Sequence, residues 1–434
     1  MNIQEKKNIV LFVGKAGKAI AQTFVDFKKN QNEKYRIAII YPNVKNISED
    51  QKASLEMFDI AIPANFESSK SIQEALLPYN KELVAVTSRS EPNIPYFQEI
   101  IPHVPYLRTP TVKSLEWATN KIEMRRRFKT YNKKITPEYM VVHDVKKETI
   151  KKIEEKVGYP LVIKPSGLAQ SLLVNLVFHQ DELKRELNKV FRKIRSVYKD
   201  AHGRGEALVL VEQFMDGDMY SVDAYVTSRG KVYCCPPVGV KTGRTIGFDD
   251  FFGYQRIVPT LLNKQSVDDA YSVCEDAVHA IGLRSSTAHI ELMKTEKGWK
   301  VIELGPRPGG FRHDMYALSY GIDHNANDIF IRIPKPVVIP RTVLGHTSVL
   351  QFFAKNEGYI TSISGTKRSQ ELKSLKKIKI NKSVGSKAKY AKNGGKSIID
   401  VTMFNNNRSE LLADIRRLES LIKIETSKKA PKRQ

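Results

Sequence analysis

Short apolar runs alternate with amphipathic stretches through the first hundred positions of the chain. Asn8 to Val13, Arg36 to Tyr41, Phe58 to Ile62 and Leu83 to Thr87 are the runs. Such continuous apolar strands belong to a parallel sheet covered on both faces. Between the first two, Gly17 to Lys28 sets Ile20, Phe24 and Phe27 at helical spacing, so strand, glycine turn, helix, strand is the simplest account. The result is a Rossmann-like α/β half. Its first turn, Gly14-Lys15-Ala16-Gly17-Lys18, lacks the spacing and terminal Gly-Lys-Ser/Thr of a Walker loop, and also the third glycine of a dinucleotide fingerprint. A tight strand-to-helix turn is expected there.

Pro92, Pro95, Pro102, Pro105 and Pro110 follow closely, a pattern that reads as punctuation between units. From Lys113 a basic amphipathic helix is predicted to about Tyr131, then strands at Glu138 to Val142 and Leu161 to Lys164 around a helix at Lys147 to Val157, and a long helix from Asp181 to Tyr198. Beyond Gly203 and Gly205 the pattern turns mostly to strand: Ala207 to Phe214, Tyr220 to Val226, Lys231 to Cys235, Thr287 to Met293 and Trp299 to Glu303, with a helix at Val267 to Ile281. The last hundred residues restart with strands at Thr347 to Phe353 and Ile398 to Phe404 and a helix at Glu410 to Ile422. Four units are expected, at 1–112, 113–205, 206–335 and 336–434, in an α/β and α+β multidomain chain.

Composition narrows the class. With 434 residues and 41% hydrophobic content, the chain has enough apolar material for several cores, which excludes a disordered protein or a small disulfide scaffold. Its longest apolar stretches, such as Ile9 to Val13, fall far below the roughly 18 residues a membrane helix needs. Lys6 and Lys7 precede an apolar run that ends at Gly14 without a small-residue cleavage pattern, so the run reads as a first strand and a cytoplasmic location is expected. Cys234, Cys235 and Cys274 offer neither a disulfide framework nor metal-ligand spacing. Lys and Arg exceed Asp and Glu by 71 − 47 = 24, which raises the question of a polyanionic partner. Between Lys367 and Lys396, eleven basic residues meet the single acid Glu371, with Tyr390 the one aromatic. Without interleaved aromatics, a solvated basic loop is preferred there over a nucleic-acid site.

The chemistry concentrates between Asn120 and Gly310. Lys164 ends the strand Val-Ile-Lys-Pro, and the following loop from Ser166 and Gly167 to Ser171 would present backbone amides beside its charge to phosphates. The run from Leu208 to Phe214 ends in Glu212 and then Gly217, where a polar acceptor at a strand end can read an adenine edge in an apolar slot. Glu291 and Glu303 sit on consecutive strands joined by Lys297-Gly298 and are followed by Arg307. Two carboxylates so placed suit a magnesium-bound polyphosphate. His289 reads as a satisfied core histidine, with orientation of Glu291 as the alternative. Arg312, His313 and Asp314 would line an acceptor pocket if Arg307 lines the phosphate, the alternative being a helix start. Lys241, Arg244 and Arg256 flank Gly243, Gly247 and the aromatic run Phe248 to Tyr254, a candidate loop for a substrate carboxylate.

Four segments then act together. Asn120-Lys121 with Met124-Arg125, Tyr159 to Pro165, Val211 to Gly217 with Tyr220 to Asp223, and His289-Ile290-Glu291 through Ile302 to Gly310 resemble, in order and spacing, the ATP-grasp superfamily and particularly its carboxylate-amine ligases. The resemblance covers about Lys113 to Phe330. It implies a Rossmann-like domain, a two-subdomain ATP-grasp fold and a C-terminal α+β subdomain. It further implies that Lys121 and Lys164 hold ATP phosphates under the Ser166–Ser171 loop. Glu212, Gln213, Phe214 and Met215 would line the adenine slot, and Glu291 and Glu303 would hold magnesium, with manganese as the alternative ion. Arg307, with Lys164, would stabilise phosphoryl transfer to a small-molecule carboxylate, from which an amine displaces phosphate.

Three departures stand out. Gly305 occupies the place of the family's third metal ligand, an asparagine, the phosphate loop is poor in glycine, and Met219 replaces the acid that often binds ribose, with Asp218 beside it. They keep open a nucleotide-binding regulator or degenerate enzyme, and the basic 367–396 region keeps open a nucleic-acid-associated protein.

Overall fold

The computed structural model describes residues 7–43, 47–167, 172–200, 207–248, 250–333 and 335–430. It begins with β1 (Ile9–Val13), α1 (Lys18–Asn30), β2 (Arg36–Pro42), α2 (Glu49–Leu55), β3 (Ile60–Ala64), α3 (Ser69–Leu76) and β4 (Leu83–Thr87). The strands form a parallel sheet in the order β3-β2-β1-β4. Every residue of β1 is buried, because alternate side chains enter different cores: Val10 and Phe12 meet Phe24 and Phe58, whereas Ile9, Leu11 and Val13 join a second cluster. β3 starts two residues later than its apolar run suggests. Asp59 stands at the junction, its backbone donating to Ile37 O and its carboxylate accepting from Ile37 N. Gly14 adopts a left-handed φ of 108°, the freedom a tight turn requires, and Lys15 is pinned through both backbone groups by Asn93.

The proline-rich passage is not punctuation. It folds as α4 (Ile94–Ile100) between two 3-10 turns, Glu91–Asn93 and Ile101–His103, and each of the three carries proline in its first turn, where a missing N–H removes no helix bond. Ile94, Phe97 and Ile100 are buried in a core that continues into the largest sheet. The helix expected from Lys113 to Tyr131 is broken into α5 (Val112–Thr119) and α6 (Lys121–Tyr131). Asn120 has extended dihedrals and its side chain accepts from the backbone of Ile122 and Glu123, so a cap interrupts an otherwise continuous helical pattern.

Next come β5 (Tyr139–Val142), α7 (Lys147–Lys156), β6 (Leu161–Pro165), β7 (Asn175–Val177), α8 (Gln180–Asp200) and β8 (Val209–Gln213). They make an antiparallel sheet, β5-β8-β6-β7, whose apolar face packs on Ile150 and Ile153 of α7 and Leu183, Leu187, Val190 and Ile194 of α8.

The third block comprises β9 (Asp218–Val226), β10 (Val232–Cys234), β11 (Val238–Thr242), β12 (Gly253–Val258), α9 (Lys264–Ile281), β13 (Ser286–Thr295), β14 (Gly298–Gly305), α10 (Arg312–Tyr320) and α11 (His324–Phe330). The fourth holds β15 (His346–Phe352), β16 (Gly358–Ser364), β17 (Leu375–Ile380), β18 (Lys387–Ala388), β19 (Ile399–Asn405), α12 (Arg408–Leu421) and β20 (Lys423–Ser427). Nine of these strands form one antiparallel sheet along β14-β13-β9-β11-β12-β15-β19-β17, with β10 on β9, and β18-β16-β20 form a smaller one. The aromatic stretch expected as a loop is therefore the tip of the β11–β12 hairpin. The basic stretch is not a loop throughout either: β17 pairs with β19 at the edge of the sheet, with Lys376, Lys377 and Lys379 exposed. Lysines on an edge strand discourage pairing with another chain.

One buried carboxylate joins the first and third of these blocks. Asp328 accepts from Thr87 Oγ1 at 3.0 Å and Thr287 Oγ1 at 2.6 Å and pairs with Arg89 and Arg332. The parallel sheet, β13 and α11 are thereby held in register. The fold is a mixed α/β architecture, and among the described residues no helix is long and apolar enough to cross a membrane. All three cysteines are buried free thiols.

Candidate functional site

The two-residue period of the central strands divides their side chains between two faces. Val222, Ala224, Ile290, Leu292 and Val301 enter the core beside Ala277, Val278 and Ile281 of α9. Their neighbours in sequence, Ser221 and Asp223 on β9 and His289 and Glu291 on β13, therefore face the other way. On that face Glu291 lies directly opposite Glu303 of β14, with both side chains about one-third exposed. Lys121 reaches Glu303 at 3.0 Å, while His289 Nε2 stands 3.6 Å from Glu291 Oε1.

Charge tunes these groups. Burial disfavours the Glu291 carboxylate, yet His289, Arg307 and Arg256 outweigh it and hold the acid at about 2. Burial likewise works against the Lys121 cation, but Glu303, Glu91 and Glu212 overcome it and raise that group above its ordinary value. Among the described residues no cluster of three or more His, Cys, Asp or Glu forms a closed metal cage. Two facing carboxylates with partial exposure nonetheless fit a hard divalent cation whose remaining ligands are phosphate oxygens and water, the usual arrangement for magnesium. Gly305 follows Glu303 by two residues, and a Cβ there would stand 3.7 Å from the guanidinium carbon of Arg307.

A second cluster lies where the four-stranded sheet meets this face. Glu212 of β8 is 3% exposed and is gripped by Arg125 of α6, Nε to Oε1 at 2.6 Å and Nη2 to Oε2 at 3.1 Å, and by Lys164 of β6 at 2.7 Å. Arg125 also donates to the carbonyls of Val301 and Ile302 on β14 at 2.8 and 2.7 Å. Burial opposes ionisation of Glu212, but the two cations hold it at about 2. Lys164 moves down to about 8, because burial and the charges of Arg125 and Lys121 exceed the attraction of the one carboxylate they share. Glu212 differs from the expectation in this respect: it is an internal anchor for two cations rather than a group lining an open slot. Gln213 is exposed and Phe214 and Met215 are half-buried.

The remaining expected residues fall as follows. Ser166 Oγ and Gly167 N contact Tyr198 OH of α8 at 3.1 and 2.7 Å, whereas Ser171 lies outside the described residues. Asp218 is exposed at the start of β9, opposite Lys294. Arg307 bonds Glu91 at 3.2 Å, so the first turn after the parallel sheet contributes an acid to the site. Arg312 is 2% exposed and donates to Ser221 Oγ and Gly310 O. Arg256 bonds Gln351 and Gly253 O, and burial with the neighbouring Arg312 charge lowers it to about 10. Arg244 lies over Phe251 at the hairpin tip, and His313 pairs with Asp314.

Arg125 and Asp223 stand in the segments that carry the family resemblance but receive no role of their own from the sequence, and Glu91 is not singled out there at all. Asp223 had a signal: an acid on the site-facing parity of an otherwise buried strand. Both of its oxygens are used, Oδ1 by His289 Nδ1 at 2.6 Å and Oδ2 by Gly309 N at 2.7 Å and His324 Nε2 at 2.9 Å. Gly309 has no room for a side chain, since a Cβ would stand 2.5 Å from His289 Nδ1 and 2.8 Å from Asp223 Oδ1. Gly309→Ala is expected to lower stability by about 1–3 kcal/mol through overpacking. A denaturant midpoint matching the wild type would contradict that close approach.

Residues 157–313 match the model of the ATP-grasp domain family. The alanine–anticapsin ligase of Bacillus subtilis (strain 168) is 25% identical over 317 residues, which are 62% of this chain and 64% of that one. The alignment thus spans just under two thirds of that relative. Among solved structures, the L-amino acid ligase from Bacillus licheniformis superposes with a TM-score of 0.75 at 18% identity, covering 97% of this chain and 100% of the other. An ADP complex of N5-carboxyaminoimidazole ribonucleotide synthetase gives 0.68 at 15% identity, covering 95% and 97%. At these identities the structural likeness concerns the fold. The family match runs through the strands that carry Lys164, Glu212, Glu291 and Glu303, so residues 157–313 carry the likeness to the ATP-grasp domain family.

Proposed function

We propose that the protein is an ATP- and magnesium-dependent ligase that joins a carboxylic acid to an amine through an acylphosphate, releasing ADP and phosphate. The observation that carries this reading is the Glu291–Glu303 pair, set directly across two strands with Lys121 at 3.0 Å. Glu291 and Glu303 hold the divalent cation, magnesium or in its place manganese, which supplies charge neutralisation to the phosphates when bound. Lys121 and Lys164 hold the phosphates themselves. Arg307 leaves Glu91 to stabilise the oxygens of the phosphoryl group in transit. Arg256 and Arg312 orient the substrate carboxylate.

Activation is required because oxide is a very poor leaving group, whereas phosphate departs readily when the amine attacks. The names of similar proteins, an alanine–anticapsin ligase and an L-amino acid ligase, favour an amino acid as a substrate. In this reading residues 1–112 are a Rossmann-like domain, 113–205 and 206–335 are the two ATP-grasp subdomains, and 336–434 close the site from the C-terminal side.

The test is incubation with ATP, magnesium and a mixed pool of amino acids, small carboxylates and amines. ADP and phosphate, with no AMP, are expected to appear only when the pool is present. AMP as the product, or ATP binding without turnover across all pools, would overturn the ligase reading, and the latter result would favour a nucleotide-binding regulator.

A further inference from the structure

Asp223 is fully buried at the centre of the nine-stranded sheet, where an apolar side chain would satisfy packing at far lower desolvation cost. Its bonds run in two directions. Through Oδ1 it fixes His289 Nδ1, which sets the ring plane and leaves Nε2 aimed at Glu291 Oε1, 3.6 Å away. Through Oδ2 it binds the amide of Gly309, in the turn between Arg307 and the buried Arg312 at the start of α10. His324 supports the second oxygen and is itself bonded to Tyr225 OH. The carboxylate that faces the proposed cation and the turn that carries the phosphoryl-binding arginine are therefore set from one internal anchor.

We propose that Asp223 and His289 are positioning residues, a relay that fixes the Glu291 carboxylate for a divalent cation while Asp223 clamps the Arg307–Arg312 turn. This rests on the ligase reading of the site, in which Glu291 is a cation ligand. A partner that orients a ligating carboxylate typically matters 10–100-fold in metal affinity. The relay predicts which end of the His289 ring is needed. An asparagine at 289 places an amide near Nδ1, keeping the bond to Asp223 and losing the reach to Glu291. A glutamine places its amide near Nε2, keeping the reach and losing the bond.

The experiment is titration of Mn2+ in the presence of ADP, followed by the electron paramagnetic resonance signal of free Mn2+, on wild type, His289→Asn and His289→Gln, with thermal melts alongside. His289→Asn is expected to bind Mn2+ about 10–100-fold more weakly, while His289→Gln stays closer to wild type. Equal weakening of both variants, wild-type binding by both, or failure of His289→Asn to fold would assign the ring to the scaffold and overturn the relay. Absence of ADP-dependent Mn2+ binding by the wild type would instead refute the site reading, and the relay with it.

Discussion

Glu303→Gln is expected to bring ADP formation down by about three orders of magnitude, the scale set by losing a charge-stabilising group in phosphoryl transfer. The substitution is nearly isosteric, and the side chain is one-third exposed, so the fold should persist with an unchanged melt. Two effects combine at this one position. A carboxylate facing Glu291 across β13 and β14 disappears, and Lys121 loses the strongest of the acids that keep it charged. Initial rates of ADP release with the productive substrate pool would measure the loss. Turnover within a few-fold of wild type, in protein that melts normally, would remove the cation from this pair of strands.

The largest stability effect is expected at Glu212. Glu212→Gln leaves Arg125 and Lys164 buried without their anion, and breaking a buried pair from one side destabilises by about 3–5 kcal/mol. The pH dependence follows from the same contacts. Glu212 is held at about 2 against an ordinary 4.5, so its contribution is complete above about pH 4.5 and disappears as pH falls towards 2. Lys164 behaves in the opposite sense. Its value of about 8 lies below the ordinary 10.5, so the unfolded chain binds more protons between those values and this unfavourable contribution is relieved as pH rises from 8 to 10.5. Denaturant midpoints measured across pH should therefore show an acid limb in the wild type that is flattened in Glu212→Gln. An unflattened limb would mean that other carboxylates dominate acid unfolding.

What the sequence discloses here depends on how local the determining physics is. β1, β2, β4, α8 and α9 are legible because periodicity and caps lie within each segment, and the mixed α/β fold follows from their order. The strand positions of Lys164, Glu291 and Glu303 are legible because each is a charge at the end or on the polar parity of an apolar strand. Arg125 is a different case. It stands in a run with Arg126 and Arg127, and only the phase of α6, shared with buried Ile122, Met124 and Phe128, decides which of the three is internal. Glu91 sits among prolines whose helical use depends on their falling in first turns. β11, β12 and β17 read as loops because each is short and interrupted by glycine, lysine or arginine, and β12 takes its outer neighbour from far along the chain, Gln255 pairing with Leu350. The pairing of Glu212 with two cations was hidden for the same reason, since Arg125 is 87 residues away.

Arg125 also has a mechanical meaning. It is one rigid planar group bonded to β8 of the β5-β8-β6-β7 sheet and to β14 of the nine-stranded sheet, so it ties the two sheets together at a buried point. Rotation about that point leaves nearby atoms almost still and sweeps distant ones widely, as in a lever near its fulcrum. Lys164, which shares Glu212 with Arg125, and Lys121, which reaches Glu303 of β14, lie beside the fulcrum. A movement of the smaller sheet about this point would then leave the charged cluster in place, and the displacement would grow with distance from it.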